Sequence, residues 1–227
     1  MKKIVLISTY PYIHAYGLRM ISSVLKSQGY EIKLLFLNAP FGELYSPKVL
    51  EEAIELSRNS LFVGVSLMTN FFERAKQVTQ ALKTRLEIPI IWGGIHTAIK
   101  PHRCLEYADA ICIGEGEETI RTFANALTTS KDFSNIPNIW FKKDGKIIEN
   151  KICPMEDNIK DLPFPDYEYN NHFVIDNSGL SQMNAKNMEQ YMGYEYQTMV
   201  TRGCFYKCSY CANNFFENNY ESKNARK

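Results

Sequence analysis

The sequence predicts an α/β fold, a doubly wound parallel sheet with helices on both faces, and three observations predict it. From Lys3 onward short apolar runs alternate with amphipathic stretches, the pattern of parallel strands joined by helices. Within the amphipathic stretches apolar residues recur at i, i+3, i+4 and i+7, the spacing of one helical face. Of the 227 residues 45% are hydrophobic and 13% aromatic, enough to bury a substantial core.

The first strand is expected over Ile4 to Ser8, and Leu18, Ile21 and Leu25 mark the helix after it. Ile32 to Leu37 and Phe62 to Ser66 read as the next two strands. Phe71, Ala75, Val78 and Leu82 form the following helical stripe, then Pro89 to Trp92 and Ala110 to Ile113 read as the fourth and fifth strands. Ile120, Phe123, Ala124 and Leu127 close this set as a helix, giving one domain over residues 1–130. At about 150 residues per domain the chain holds one such unit and part of a second. Open sheets of this kind bind ligands beyond the carboxyl ends of their strands, so the loops after each strand are where function is expected.

Residues 131–195 have a different texture and are expected to be a linker with a β-hairpin. Ile139 to Lys142 and Lys146 to Ile148 flank Asp144-Gly145, a hairpin signal. Leu162-Pro163-Phe164-Pro165-Asp166 is too proline-rich for a helix or central strand and reads as a connector laid over the surface. After a polar segment with Asn184 and Asn187, a last strand is expected over Gln197 to Thr201, opening a further unit over residues 196–227.

Twenty-six basic and 25 acidic side chains leave a net charge of +1, which excludes a basic nucleic-acid surface and an acidic tail. No apolar run approaches the ~18 residues of a membrane span, and Met-Lys-Lys leads into the first strand with no small-residue cleavage site. A cytoplasmic protein is expected, with no nucleic-acid or membrane partner and its six cysteines reduced. Cys204, Cys208 and Cys211 stand at C-x-x-x-C-x-x-C spacing, and three thiolates within eight residues can fold around three corners of an iron-sulfur cube. Structural zinc would require a fourth close ligand. A redox dithiol at Cys208 and Cys211 leaves Cys204 unexplained. Cys104 and Cys112 fall in helix and strand patterns and read as packing residues.

This spacing, with Tyr210 before the last cysteine, resembles the radical S-adenosylmethionine superfamily. The resemblance implies a 4Fe-4S cluster on Cys204, Cys208 and Cys211 as the catalytic metal centre. It also implies S-adenosylmethionine chelated at the open iron and cleaved reductively to a 5'-deoxyadenosyl radical, and an electron donor such as flavodoxin or ferredoxin. Tyr210 then lies near the adenine or packs the loop; both roles stand open.

Residues 1–130 in turn resemble the cobalamin-binding domains that often precede such radical enzymes. Ser66-Leu67-Met68-Thr69 is similar to their Ser-x-Leu loop, Gly93-Gly94 with His96 to their Gly-Gly loop, and Gly114-Glu115-Gly116 follows the fifth strand. Leu162 to Asp166 resembles the linker of these two-domain proteins. By this resemblance Ser66, Met68, Thr69, Gly93, Gly94, His96, Gly114, Glu115 and Gly116 contact cobalamin. Tyr10 and Tyr12 cover the lower face of the cobalt. His14 has the spacing to Gly17 of a cobalt-ligating histidine, but Tyr12 stands where the orienting aspartate is usual, so His14 is assigned to the loop rather than to the metal. Few residues follow Cys211, so the barrel of such an enzyme is expected to be incomplete, as in a truncated product or fragment. The implied function is a cobalamin-dependent radical enzyme, foremost a methyltransferase acting on an unactivated carbon of a small molecule or peptide. The alternatives are a radical enzyme of cyclisation, ring contraction or oxidation with cobalamin non-catalytic, and a non-catalytic cobalamin and iron-sulfur module.

Overall fold

The structure is a computed structural model and describes residues 1–153, 159–177, 179–193, 195–199, 202, 204 and 206–212. The five strands expected in the amino-terminal part form, with ends shifted by a residue or two: β1 (Lys3–Ser8), β2 (Glu31–Phe36), β3 (Ser60–Ser66), β4 (Ile90–Gly93) and β5 (Ala110–Cys112). They alternate with α1 (Tyr16–Ser27), α2 (Pro47–Ser57), α3 (Phe72–Lys83), α4 (Ile95–Ile99), α5 (Pro101–Cys104) and α6 (Glu117–Thr128). Helix α2 starts where Ser46 accepts a hydrogen bond from the Val49 amide at 3.3 Å and Pro47 occupies the first turn, where its missing N–H costs nothing.

Alternate residues of each strand point to opposite faces, so the sheet supports two cores. On one face Leu6, Phe62, Ile91 and Cys112 pack under Leu18 and Leu25 of α1 and Ile120 and Phe123 of α6. On the other Val5, Ile7, Val63, Val65 and Trp92 pack under α2, α3 and Cys104 of α5. Covered on both sides, these strands read in sequence as nearly continuous apolar runs. Burial pushes the Cys104 and Cys112 thiols up to about 12, which keeps both neutral.

The region after residue 130 departs from a simple connector. The hairpin β6 (Ile139–Lys143) and β7 (Lys146–Glu149) turns on Asp144 and Gly145, both at positive φ, and β6 pairs antiparallel with β5 through Cys112 and Ile139. A second hairpin, β8 (His172–Asp176) and β9 (Gly179–Gln182), joins the opposite edge, with β8 parallel to β2 through Leu34 and His172. It is followed by α7 (Ala185–Met192), whose start is closed by reciprocal hydrogen bonds of Asn184 and Asn187. The sheet order is β7-β6-β5-β4-β3-β1-β2-β8-β9. Winding reverses between β1 and β3, which opens a crevice at their carboxyl ends. Asp166 is not a surface residue of the connector; it lies 4% exposed against α1. The strand expected over Gln197 to Thr201 is absent from Gln197 to Met199, which are irregular, while Val200 and Thr201 lie outside the described residues.

Candidate cofactor site

A cavity of about 550 Å³ opens at the carboxyl ends of β3, β4 and β5, between the sheet and the helices α1 and α6. Its floor is apolar: Leu6, Phe62, Ile91 and Cys112 from the sheet, walled by Leu18 and Ile21 of α1 and Ile120 of α6. Ser66, Gly93, Gly94, Gly114, Glu115 and Gly116 all reach it, so three of the loops singled out in the sequence meet at one opening.

The two adjacent glycines do different work. A Cβ built on Gly94 would stand 2.5 Å from the Leu67 carbonyl oxygen, and its backbone at φ 101° and ψ 176° is open only to glycine. Its missing side chain answers to the protein's own β3 loop. A Cβ on Gly93 would meet nothing within 4 Å although Gly93 lines the cavity, so no contact within the protein requires a glycine there.

Above the cavity the loops after β1, β3 and β4 are tied together. Tyr10 Oη lies 2.9 Å from Ser66 Oγ, and burial pushes the Tyr10 phenol above its usual pKa. Tyr12 Oη points at the Met68 sulfur at 4.0 Å, and both side chains are partly open to solvent. Thr69 Oγ1 and His96 Nδ1 are 2.9 Å apart; burial, and then the Lys100 charge, lower the His96 pKa, so the ring stays neutral near pH 7. Of these residues only Ser66 reaches the cavity; Tyr10 and His96 are buried in the protein, and Tyr12, Met68 and Thr69 are exposed outside the cavity lining. The His14 ring stands 5.9 Å from that of Tyr12, and the His14 carbonyl accepts from Arg19 Nε at 2.9 Å.

Arg19 was not legible as a site residue. It is fully buried, donates to the Ile13, His14 and Asp166 carbonyls, and lies between the Phe36 and Tyr167 rings at 4.5 and 4.7 Å. Burial lowers its pKa only to about 10, so it remains charged. Asp166 Oδ2 accepts from Ser22 Oγ at 2.5 Å, Lys26 Nζ at 2.7 Å and His172 Nε2 at 3.1 Å. The signal in the sequence was the aspartate closing the Pro-rich connector, which needs a cationic or hydrogen-bonding partner once buried. The clamp holds α1, one wall of the cavity, to the connector.

Cys204, Cys208 and Cys211 are half-buried, and the Cys211 amide donates to the Cys208 carbonyl at 2.9 Å, forming a turn. Tyr210 is 91% exposed. Among the described residues no three His, Cys, Asp or Glu side chains gather around a common point. No helix among the described residues is long and apolar enough to cross a membrane.

The chain is similar to the anaerobic magnesium-protoporphyrin IX monomethyl ester cyclase of Synechocystis sp., 27% identical over 216 residues, which cover 93% of this chain and 40% of that protein. It thus spans about two fifths of the length of this curated relative. Among solved structures, the radical S-adenosylmethionine methyltransferase TsrM of Kitasatospora setae, with tryptophan and a SAM analogue bound, superposes with a TM-score of 0.69 at 19% identity. The match covers 94% of this chain and 41% of that one. The cobalamin-dependent S-adenosylmethionine radical enzyme OxsB, with aqua-cobalamin and S-adenosylmethionine bound, superposes with a TM-score of 0.60 at 18% identity, covering 73% of this chain and 24% of that one. Both share the arrangement of helices around a parallel sheet. The B12 binding domain family matches residues 2–124, which carry β1 to the first two turns of α6 and most of the cavity lining, and the chain belongs to that family.

Proposed function

We propose that this chain is the cobalamin-holding part of a cobalamin-dependent radical S-adenosylmethionine enzyme, foremost a methyltransferase acting on an unactivated carbon. The observation that carries the reading is the cavity at the carboxyl ends of β3, β4 and β5, kept open where Gly93 presents no side chain. In this reading the nucleotide tail of cobalamin occupies the cavity. Leu6, Ile91 and Ile120 exclude water from it, and Ser66, oriented by the Tyr10 hydroxyl, offers a hydrogen bond at its mouth. Tyr12, Met68 and Thr69 would present exposed side chains to the corrin, with buried His96 holding Thr69, and Tyr12, backed by the Tyr10 ring at 5.6 Å, would cover the lower face of cobalt in place of His14. Bound cobalamin supplies a methyl group for transfer. Cys204, Cys208 and Cys211 are assigned to a 4Fe-4S cluster on their spacing, with S-adenosylmethionine at its open iron, Tyr210 beside the adenine and a flavodoxin or ferredoxin as electron donor.

A second reading, a radical enzyme of cyclisation, ring contraction or oxidation with cobalamin non-catalytic, is favoured by the curated relative, which is a cyclase. Iron, sulfide and cobalt are to be measured on the anaerobically reconstituted chain, followed by titration with hydroxocobalamin. Near-stoichiometric cobalt and four irons are the expected result. A folded chain that retains no cobalamin refutes the cofactor reading, and zinc in place of iron refutes the cluster.

A further inference from the structure

Two residues that line the cavity come from far beyond α6 in the chain: Met199 and Arg202, which precede the first cysteine of the motif. Arg202 is anchored. Its Nη1 donates to Glu115 Oε1 at 3.0 Å and its Nη2 to Glu117 Oε1 at 2.5 Å. The three side chains are 12%, 19% and 11% exposed, so the contact is largely withdrawn from water, where a screened surface pair would contribute little. Burial opposes the charge on Arg202, but the two carboxylates outweigh it and raise its pKa above the ordinary value. Both carboxylates belong to the cavity rim, Glu115 between Gly114 and Gly116 and Glu117 in the first turn of α6. A planar guanidinium spanning two carboxylates fixes direction as well as distance.

Cys204 lies two residues beyond Arg202, and a fully extended chain gains at most ~3.6 Å per residue, so its Cα is held within about 7 Å of the Arg202 Cα. Docked in this way, Arg202 lines the cavity, which keeps about 550 Å³ open. A ligand filling the cavity adds contacts to Met199 and excludes water from the ion pair. We infer that Arg202 is a positioning residue that ties the thiol-bearing loop to the cavity mouth through Glu115 and Glu117, so that a ligand seated in the cavity and the docked loop stabilise each other. Such coupling is reciprocal: whatever the ligand does for the loop, the docked loop does for the ligand. The inference rests on the cobalamin reading and adds to it which residue connects the two cofactor regions.

The test uses the whole chain without a cluster, methylcobalamin in the dark as the probe, and maleimide labelling of each cysteine read by peptide mass. Cys153, exposed and not part of the lining of this cavity, serves as the internal control. Saturation with methylcobalamin is expected to slow labelling of Cys204 about tenfold, within the ordinary range of site-to-site coupling, while Cys153 is unchanged. In Arg202→Gln this protection should vanish and methylcobalamin should dissociate about tenfold faster, with the circular dichroism of the wild type. Arg202→Lys keeps the charge but not the fork and should lose most of the protection, which decides the matter should Arg202→Gln not fold. Tight methylcobalamin binding without protection of Cys204, or protection surviving in both variants, overturns the coupling. Failure of the wild type to bind methylcobalamin in the titration itself overturns the cofactor reading and the coupling with it.

Discussion

Replacing Gly93 and Gly94 separately isolates what the cavity is for. Gly94→Ala places a Cβ 2.5 Å from the Leu67 carbonyl oxygen, on a backbone at φ 101°. The dihedral alone costs about 1–3 kcal/mol, and the clash adds a comparable amount because Leu67 is buried at the end of β3 and cannot yield freely. A loss of about 3 kcal/mol or more follows, which for a chain of this size lowers Tm by about 6–12 °C. A Cβ at Gly93 meets nothing within 4 Å, and residue 93 keeps its place beside Ser66 on β3 and its carbonyl bond to the Leu67 amide at 3.0 Å, so in Gly93→Leu stability should change by less than about 0.5 kcal/mol. The new side chain occupies the space reserved for a ligand, and overpacking of about 1–3 kcal/mol weakens hydroxocobalamin about 5- to 150-fold. Chemical denaturation by circular dichroism and an absorbance titration measure the two effects on the same preparations. Wild-type affinity in Gly93→Leu would refute the assignment of the cavity, and wild-type stability in Gly94→Ala would refute the backbone argument.

Three further outcomes are expected. His172 Nε2 donates to Asp166 and its buried Nδ1 has no acceptor, so protonation would strand an N–H; burial lowers the His172 pKa, while partners hold Asp166 at about 2 against the burial that would raise it. Both groups bind fewer protons folded than unfolded, so stability should fall first below about pH 6.5 as unfolded histidine protonates, then by about 2 kcal/mol between roughly pH 4 and 2. Urea midpoints at stepped pH check this, and Asp166→Asn should remove the lower step. Arg19→Met leaves the Ile13 and Asp166 carbonyls unpaired and should cost about 3–5 kcal/mol, read by denaturant unfolding; a loss under 1 kcal/mol would show that the clamp is dispensable. In the Co(II) form of the cobalamin-loaded chain, electron paramagnetic resonance should lack three-line nitrogen splitting from His14; splitting that disappears in His14→Ala contradicts the assignment of the lower face to Tyr10 and Tyr12.

The sequence alone determined β1 to β5, the helices α1, α3 and α6, and the loops that reach the cavity. Strands buried on both faces must be apolar throughout, and helices with one buried face must repeat every three to four residues, so both patterns are written locally. Helix α2 was equally local, with Ser46 and Pro47 as its start signal, but its apolar spacing was not read. The tertiary structure decided what depends on partners distant in sequence. The short β8 and β9 are strands because β2 offers an open edge to His172–Val174, and no periodicity of four or five residues reveals an edge. Asp166 and Arg19 are polar residues whose burial is tolerable because each meets partners: the Asp166 carboxylate meets Ser22, Lys26 and His172, and the Arg19 guanidinium meets the Ile13, His14 and Asp166 carbonyls, the last 147 residues away, pairings that hydropathy cannot encode. The pair Gly93 and Gly94 was visible as a motif. Which glycine makes room for the chain and which borders open cavity follows from what lies opposite each missing Cβ, and only packing places the Leu67 carbonyl beside Gly94.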